Sequence, residues 1–298
     1  MSSVGQSQER TLGKHLLLNK VLGRLTGAFT RLNFLKSPFV FIDLCAGDGN
    51  PSFFSGYSSP EIIQKHAEFL RKTYGDKAAV VILVEQDKAT FDRLKQSPHA
   101  QKAYLIQGNS RSPEVIQQIQ EILGDRGVSS SSPCFVHNDP NKFSDFALTP
   151  ELLALLPRYT TSLTTMGCNV GGLKRLGLSE RKNWFAHVDL IVNHVKQVNC
   201  HNAYLNSLHG DKSQWAYLVT CPKKWMLNTE KDVQTSFKYW EKGLKTAWLS
   251  DSQKFNELID FLFLTKKEFE ENVTQSTNAG FIGNRDRQLW LEGCSPCG

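Results

Sequence analysis

The chain lacks long apolar runs and lacks a cysteine pattern that would build a disulfide framework. No stretch of about 18 consecutive apolar residues occurs, so we expect no membrane-spanning helix. The seven cysteines are odd in number and no secretory signal precedes them, which favours a reducing, cytoplasmic setting. Cys294 and Cys297 have metal-ligand spacing, but a closed zinc site needs four ligands and no second pair lies nearby. We therefore expect no metal site.

Charge is unevenly distributed along the chain, although the formal net charge of +6 is modest. Residues 1–40 contain six lysines and arginines and one acidic residue, so they carry most of this excess. A basic segment of this kind is what a polyanion-binding surface requires. A solvated helix face would carry the same charges, and both interpretations are open at this point.

Apolar residues at helical spacing predict a first, packed helix: Leu18, Val21, Leu22, Leu25 and Phe29. After it, short β-branched runs predict five strands: Phe39–Cys45, Val80–Asp87, Ala103–Asn109, Cys134–Asp139 and Thr161–Gly167. Three similar helix starts combine a capping hydroxyl, a proline and a glutamate: Ser59-Pro60-Glu61, Ser112-Pro113-Glu114 and Thr149-Pro150-Glu151. This alternation predicts a parallel sheet covered by helices on both faces.

The pattern changes near residue 200. Ala203–Leu208 and Trp215–Cys221 are two strand-like runs that predict an antiparallel hairpin. Farther on, the chain is aromatic-rich, and helices are predicted over Phe237–Leu249 and Ser252–Phe263. We therefore expect a sheet domain over residues 1–222, with a helical or irregular C-terminal extension over residues 223–298 packed on it.

The loop after the first predicted strand has the composition of a nucleotide-binding loop. Gly47 and Gly49 allow the backbone to pass close beneath a ligand at the carboxyl edge of the sheet. The third glycine of the dinucleotide pattern G-x-G-x-x-G is absent, and no helix start follows at once, which argues against a pyrophosphate. Asp43 suits a cationic ligand, and S-adenosylmethionine offers both an ammonium and a sulfonium group.

The next two strand ends carry further polar side chains. Glu85 can accept hydrogen bonds from both hydroxyls of a ribose, although an ordinary charged strand end would look the same. Asn109 could bond the amino edge of an adenine, or form a turn. Lys14 is expected near the carboxylate of the cofactor. The candidate cofactor-binding residues are Asp43, Ala46, Gly47, Gly49, Asn50, Glu85, Gln86, Asn109 and Lys14.

In this order, the motifs resemble those of class I S-adenosylmethionine-dependent methyltransferases, over roughly residues 10–222. The matching segments are Asp43–Asn50, Glu85, Asn109 and Asn138–Asn141. Within that superfamily, the long loop from Gly56 and the basic Gly13-Lys14-His15 resemble the three-Cys-motif partner proteins. The resemblance implies a Rossmann-like α/β fold: a mainly parallel seven-stranded sheet with an antiparallel terminal hairpin, plus a C-terminal helical extension. It also implies S-adenosylmethionine as the cofactor.

By the same resemblance, the end of the fourth strand is the acceptor site. The candidate catalytic residues are Asn138, Asp139, Pro140 and Asn141. Amino-methylating members carry here an acidic or amide residue, two prolines and an aromatic residue, and the target amine donates to the first side chain. Asp139-Pro140 matches, but Asn141 replaces the second proline and Phe143 is displaced by one position. A turn without chemistry is therefore an alternative, and His137 is interpreted as structural.

A glycine-hinged basic segment follows the fifth predicted strand. Lys174, Arg175, Arg181 and Lys182 lie there, and Trp184, Trp240 and Trp248 interleave aromatic residues with the cationic ones. This pattern is typical of nucleic-acid grooves. We therefore expect a methyltransferase that acts on DNA or RNA at an exocyclic amino group, with no membrane partner. Two alternatives are open: a catalytically inactive Rossmann-like interaction protein, and a methyltransferase for a small molecule or protein.

Overall fold

The computed structural model describes residues 8–32, 37–50, 57–140, 147–167, 202–210, 213–221 and 244–248. The helices are α1 (Gln8–Leu32), α2 (Ser59–Tyr74), α3 (Lys88–Leu94), α4 (Pro113–Asp125) and α5 (Pro150–Leu155), with 3-10 turns at Asp76–Ala78 and Pro98–Ala100. The strands are β1 (Phe39–Asp43), β2 (Ala79–Glu85), β3 (Tyr104–Gln107), β4 (Pro133–Asn138), β5 (Tyr159–Gly167), β6 (Asn202–Gly210), β7 (Ser213–Cys221) and β8 (Leu244–Trp248).

These strands form one sheet in the order β3-β2-β1-β4-β5-β7-β6-β8. Strands β1 to β5 pair in parallel, whereas β7, β6 and β8 are added by antiparallel pairing. The predicted Rossmann-like α/β fold, with a mainly parallel sheet and a late antiparallel hairpin, is confirmed. The direction in which successive strands are added reverses at β1 and β4. Ligands of open α/β sheets bind at such a switch point, outside the carboxyl ends of the strands.

The predicted number of seven strands is wrong, because β8 pairs with β6 and extends the sheet beyond the hairpin. The helix predicted over Phe237–Leu249 is therefore wrong at residues 244–248. The free edge of β6 offers unpaired backbone groups, and pairing with them overrides the weak helical pattern of this short segment. The predicted helix Ser252–Phe263 lies outside the described residues, and the division at residue 222 stays a prediction.

The central strands are apolar on both sides, as strands of a covered parallel sheet must be. Phe39 and Phe41 of β1 pack in the core beneath α1 and α2. Val40 and Ile42, which point to the opposite face, pack in the core beneath α4 and α5. The expected layers are therefore present. Four of the five apolar positions predicted for the first helix are buried on α1: Leu18, Val21, Leu22 and Leu25. The side chain of Phe29 lies outside the described residues.

The helices begin where hydroxyl side chains cap them. The hydroxyl of Ser112 accepts a hydrogen bond from the N–H of Val115 at 3.4 Å, and the hydroxyl of Thr149 accepts one from the N–H of Leu152 at 3.2 Å. For α2 the predicted cap was one residue off, because Ser58 accepts from the N–H of Glu61 at 3.3 Å and Ser59 is the first helical residue. Among the described helices, none has the length and apolar character needed to cross a bilayer.

Candidate active site at the switch point

The loop that follows β1 is fixed by the two strands beside it. The N–H of Leu44 donates to the carbonyl of His137 on β4 at 2.9 Å, and the N–H of Ala46 donates to the carbonyl of Val84 on β2 at 2.9 Å. Residues 43–49 therefore lie across the carboxyl edge of the sheet at the switch point. This is the position that a ligand-binding loop of this fold requires.

Two glycines shape this loop for different reasons. Gly47 and Gly49 have φ angles of 66° and 70°, which L-residues rarely adopt. A Cβ atom on Gly47 would meet no atom within 4 Å, so open space lies on that side of the backbone. A Cβ atom on Gly49 would lie 2.7 Å from Oγ of Ser97 and 3.0 Å from Cδ1 of Leu94. Gly47 thus borders open space, and Gly49 packs against the protein.

This difference predicts unequal effects of substitution by alanine. Gly47→Ala should destabilise the protein by about 1–2 kcal/mol, from backbone conformation alone. Gly49→Ala should have the same backbone cost and destabilise the protein by about a further 1–3 kcal/mol, because the new methyl group overlaps Ser97 and Leu94. Urea unfolding of the two variants measures both free energies, and Gly47→Ala serves as the matched control. Equal losses of stability would contradict the assigned packing of Gly49.

Glu85 holds the loop from the end of β2. One carboxylate oxygen, Oε2, accepts the N–H of Gly47 at 2.9 Å, and the other, Oε1, accepts the N–H of Asp87 at 2.8 Å. Both oxygens are thereby held beside the loop, and each keeps a lone pair for a further donor. The side chain is partly exposed. A polar ligand above Gly47 can therefore donate to Glu85.

A buried ion pair joins the ends of β1 and β4. Nδ1 of His137 lies 3.0 Å from Oδ1 of Asp43, and both side chains are almost fully buried. Oδ1 also accepts the N–H of Cys45 at 3.3 Å, whereas the buried Oδ2 has no hydrogen-bond partner among the described residues. Burial by itself would lower the pKa of His137, but the carboxylate of Asp43 outweighs it and raises this pKa above its usual value.

A second ion pair connects α1 with the residue after β4. Nζ of Lys14 lies 2.5 Å from Oδ2 of Asp139. Burial favours the neutral acid, but the cationic Lys14 and His137 outweigh it and hold the pKa of Asp139 below its usual value. Burial, together with Lys14 and His137, lowers the pKa of the neighbouring His15 to about 4. Lys14, which we expected beside the cofactor, thus contacts the candidate catalytic carboxylate.

The remaining candidates divide into those at the loop and those that form turns. Ala46 is buried in the loop, and the buried Asn138 accepts a weak hydrogen bond from the thiol of Cys45 at 3.7 Å. The exposed Asn50 and Asn109 form local turns, through Asp48 in the first case and through the N–H of Arg111 in the second. The exposed Gln86 accepts from Gln107 through its carbonyl at 3.1 Å. Pro140 is partly buried beside Asp139.

Several predicted features lie outside the described residues: Asn141, Phe143, the basic segment with Lys174, Arg175, Arg181 and Lys182, the tryptophans Trp184 and Trp240, and the pair Cys294 and Cys297. Sequence reasoning interpreted His137 as structural but did not identify Asp43 as its partner. Asp43 and His137 are register partners on adjacent parallel strands. Two ionisable residues at the ends of apolar strands were the signal that could have identified this pair.

No family model and no curated protein matches this chain. Protein LPL1258 from Legionella pneumophila is 8% identical, with a TM-score of 0.44 over 80% of this chain and 95% of that chain. An O-methyltransferase from Bacillus cereus in complex with SAH is 11% identical, with a TM-score of 0.38 over 74% and 93%. A SAM-dependent methyltransferase from Anabaena variabilis is 11% identical, with a TM-score of 0.35 over 72% and 93%. These likenesses are too low to carry an argument about activity.

Proposed function

We propose that this protein is an S-adenosylmethionine-dependent methyltransferase that acts on a nucleic acid, at an exocyclic amino group. One observation carries the proposal. At the switch point, Gly47 in the loop after β1 has open space on one side and donates its N–H to the Glu85 carboxylate at the end of β2, while Asp139 follows β4 on the other side of β1. This arrangement offers acceptors for a ribose on one side and for an amine on the other.

The residues at the loop fit S-adenosylmethionine better than a dinucleotide. The positive φ and open space at Gly47 leave room for a ligand against the backbone. Glu85 can accept hydrogen bonds from ribose hydroxyls. The third glycine of the dinucleotide pattern G-x-G-x-x-G is absent, which argues against a pyrophosphate. Space beside the loop backbone and a ribose acceptor are features that a nucleoside ligand needs.

When bound, S-adenosylmethionine supplies an activated methyl group: the acceptor nitrogen forms the new N–C bond, the electron pair of the S–C bond stays on sulfur, and one proton leaves to water. The protein residues orient and desolvate the acceptor, which is where most of the acceleration arises. Asp139 would accept an N–H of the acceptor and thereby orient the nitrogen lone pair. Its low pKa makes it a hydrogen-bond acceptor and a poor proton acceptor.

A nucleic-acid acceptor is supported by charge and by the Asp139-Pro140 sequence. The excess positive charge of residues 1–40 includes cationic side chains on α1, the helix that brings Lys14 to Asp139. A base would have to be extruded from a duplex, or be single-stranded, to reach this position. Binding to RNA or DNA should therefore weaken steeply as the salt concentration rises.

Removal of the Glu85 carboxylate should weaken S-adenosylmethionine binding about 10- to 100-fold, because each hydrogen bond to a charged acceptor contributes about 1.5–3 kcal/mol. Calorimetric titration of Glu85→Ala measures this loss. Glu85→Gln keeps the size of the side chain and separates the effect of charge from that of packing. Unchanged affinity in both variants would contradict the assigned cofactor site.

The acceptor class is tested with labelled methyl groups. Wild-type protein is incubated with methyl-tritiated S-adenosylmethionine and, separately, with unmodified RNA transcripts, single-stranded DNA and a lysine-rich protein. Transfer to nucleic acid, located on a base amine after digestion, supports the proposal. Tight cofactor binding without transfer to any acceptor would favour the inactive interaction protein, and transfer to protein alone would replace the proposed substrate.

A further inference from the structure

Lys14 is buried to an unusual degree for a lysine that precedes the sheet in the chain. Its exposure is 7%, and its ammonium reaches a carboxylate 125 residues away in the sequence. Lysine is rarely buried without a partner, because desolvation of the charge is costly. The ion pair with Asp139 offsets only part of this cost, because the Asp139 side chain is 25% exposed and water screens its charge. The carboxylate of Asp139 is therefore partly accessible, whereas the ammonium of Lys14 is almost fully buried.

The charges around Asp139 come from three elements. Lys14 and His15 lie on α1, His137 lies on β4, and Asp43 lies at the end of β1. Cys45 of the loop is also close, and burial together with the charges of Asp139 and Asp43 raises the pKa of its thiol, so it stays neutral. His15 is neutral near pH 7 because its pKa is lowered to about 4. Lys14 and His137 thus contact the two carboxylates, Asp139 and Asp43 respectively.

We propose that Lys14 is a positioning residue that holds Asp139 as an anion through Oδ2 and leaves Oδ1 to accept an N–H of a neutral amino group. The inference rests on the proposed function and narrows its substrate class. Among the described residues, Lys14 is the one that bonds the Asp139 carboxylate. A base amine is neutral at pH 7, so it can donate to Oδ1 without adding charge.

An aliphatic ammonium fits this position poorly. Its charge would enter a site in which Asp139 and Asp43 are already matched by Lys14 and His137. Like charges in partly buried surroundings repel strongly. The ammonium would also have to lose a proton before transfer, and Asp139 is a weak base because Lys14 stabilises its charged form. The ion pair therefore selects against lysine side chains and small alkylamines.

The role of Lys14 is tested first without turnover. In the full-length protein, carboxyl ¹³C NMR follows the titration of Asp139, assigned by comparison with Asp139→Asn. Lys14→Met should raise the midpoint of Asp139 by about 1 to 3 pH units, since a neighbouring cation lowers a carboxyl pKa by that amount. Lys14→Arg should keep the low midpoint. An unmoved Asp139 midpoint in Lys14→Met overturns the proposal.

The second test uses methyl transfer to single-stranded RNA and DNA. Lys14→Met should lower kcat about 10²-fold, with little change in the affinity for S-adenosylmethionine, and the acidic limb of its pH profile should move to higher pH. Lys14→Arg should restore most of kcat. Circular dichroism establishes that both variants fold, and if Lys14→Met does not, Lys14→Gln replaces it.

The outcomes of the two tests are independent of each other. If wild-type protein transfers no methyl group, the proposed function is wrong, whereas the NMR titration still decides whether Lys14 controls the ionisation of Asp139. If wild-type protein methylates a lysine-rich protein as well as it methylates nucleic acid, the selection for neutral amines is overturned. A low Asp139 midpoint that depends on Lys14, together with methylation of base amines, supports the inference in full.

Discussion

Asp139→Asn is expected to reduce methyl transfer by about 10²- to 10³-fold, while S-adenosylmethionine binds as tightly as to the wild-type protein. The amide keeps the shape of the side chain but removes the negative charge that Lys14 holds beside the acceptor. It also replaces the charged acceptor of the Lys14 ammonium by a neutral one. Single-turnover transfer of a labelled methyl group measures the chemical step, and calorimetry measures cofactor affinity in the same variant.

The matched control for this variant is Asp125→Asn at the end of α4, where the aspartate is exposed. It makes the same chemical change away from the switch point, so transfer should be unchanged. Asp139→Ala should lose at least as much transfer as Asp139→Asn, since it removes the hydrogen-bond acceptor as well. Full activity of Asp139→Asn would assign the Asp139-Pro140 segment to a turn and not to catalysis.

The strands, their parallel arrangement and the helix starts follow from local patterns. Apolar β-branched runs such as Val80–Val84 have few alternatives to a buried strand, and the three Pro-Glu helix starts fix where the intervening helices begin. Their observed bounds differ from the predicted ones by one or two residues. The position of each polar residue at the end of an apolar strand was therefore enough to predict that Asp43, Glu85 and Asp139 lie at one edge of the sheet.

Features that depend on long-range contacts could not be predicted in this way. Strand β8 forms because β6 offers a free edge, and nothing local to residues 244–248 specifies that partner. Lys14 is one of two lysines on an amphipathic helix, and its contact with Asp139 becomes visible only once α1 is packed on the sheet. His137 looks like a histidine in an apolar strand until its register partner, Asp43, is known.

His137→Leu is expected to destabilise the protein by about 3–5 kcal/mol, because it leaves the Asp43 carboxylate buried without its cationic partner. Both members of the pair lie beneath the loop, so the loss should also loosen the hydrogen bond from Cys45 to Asp43. Urea unfolding, followed by far-UV circular dichroism at pH 6.5, measures the change in the free energy of unfolding.

The double variant Asp43→Asn/His137→Leu is the control for this effect. With the buried charge removed, it should be more stable than His137→Leu, although two substitutions have been made. A double variant whose loss equals the sum of the two single losses would mean that the residues do not interact. In that case the contact between Nδ1 and Oδ1 would contribute nothing to stability.

The pH dependence of this loss gives a further test, and its sign follows from the raised pKa of His137. The unfolded chain releases the His137 proton near its usual value of about 6.5, whereas the folded protein keeps it to higher pH. The contribution of the pair is therefore complete below about pH 6.5 and declines as the pH rises through the folded value.

Measurements from about pH 6.5 upward separate His137 from the other buried histidines. Burial lowers the pKa of His15 and of His66 to about 4, so their effects on stability arise as the pH falls below 6.5. The difference in unfolding free energy between wild-type protein and His137→Leu should therefore become smaller from about pH 6.5 to about pH 9. This is roughly the interval in which a histidine with a raised pKa loses its proton. A difference that stays constant or widens would mean that His137 is neutral in the folded protein, and its contact with Asp43 would then be a hydrogen bond and not an ion pair.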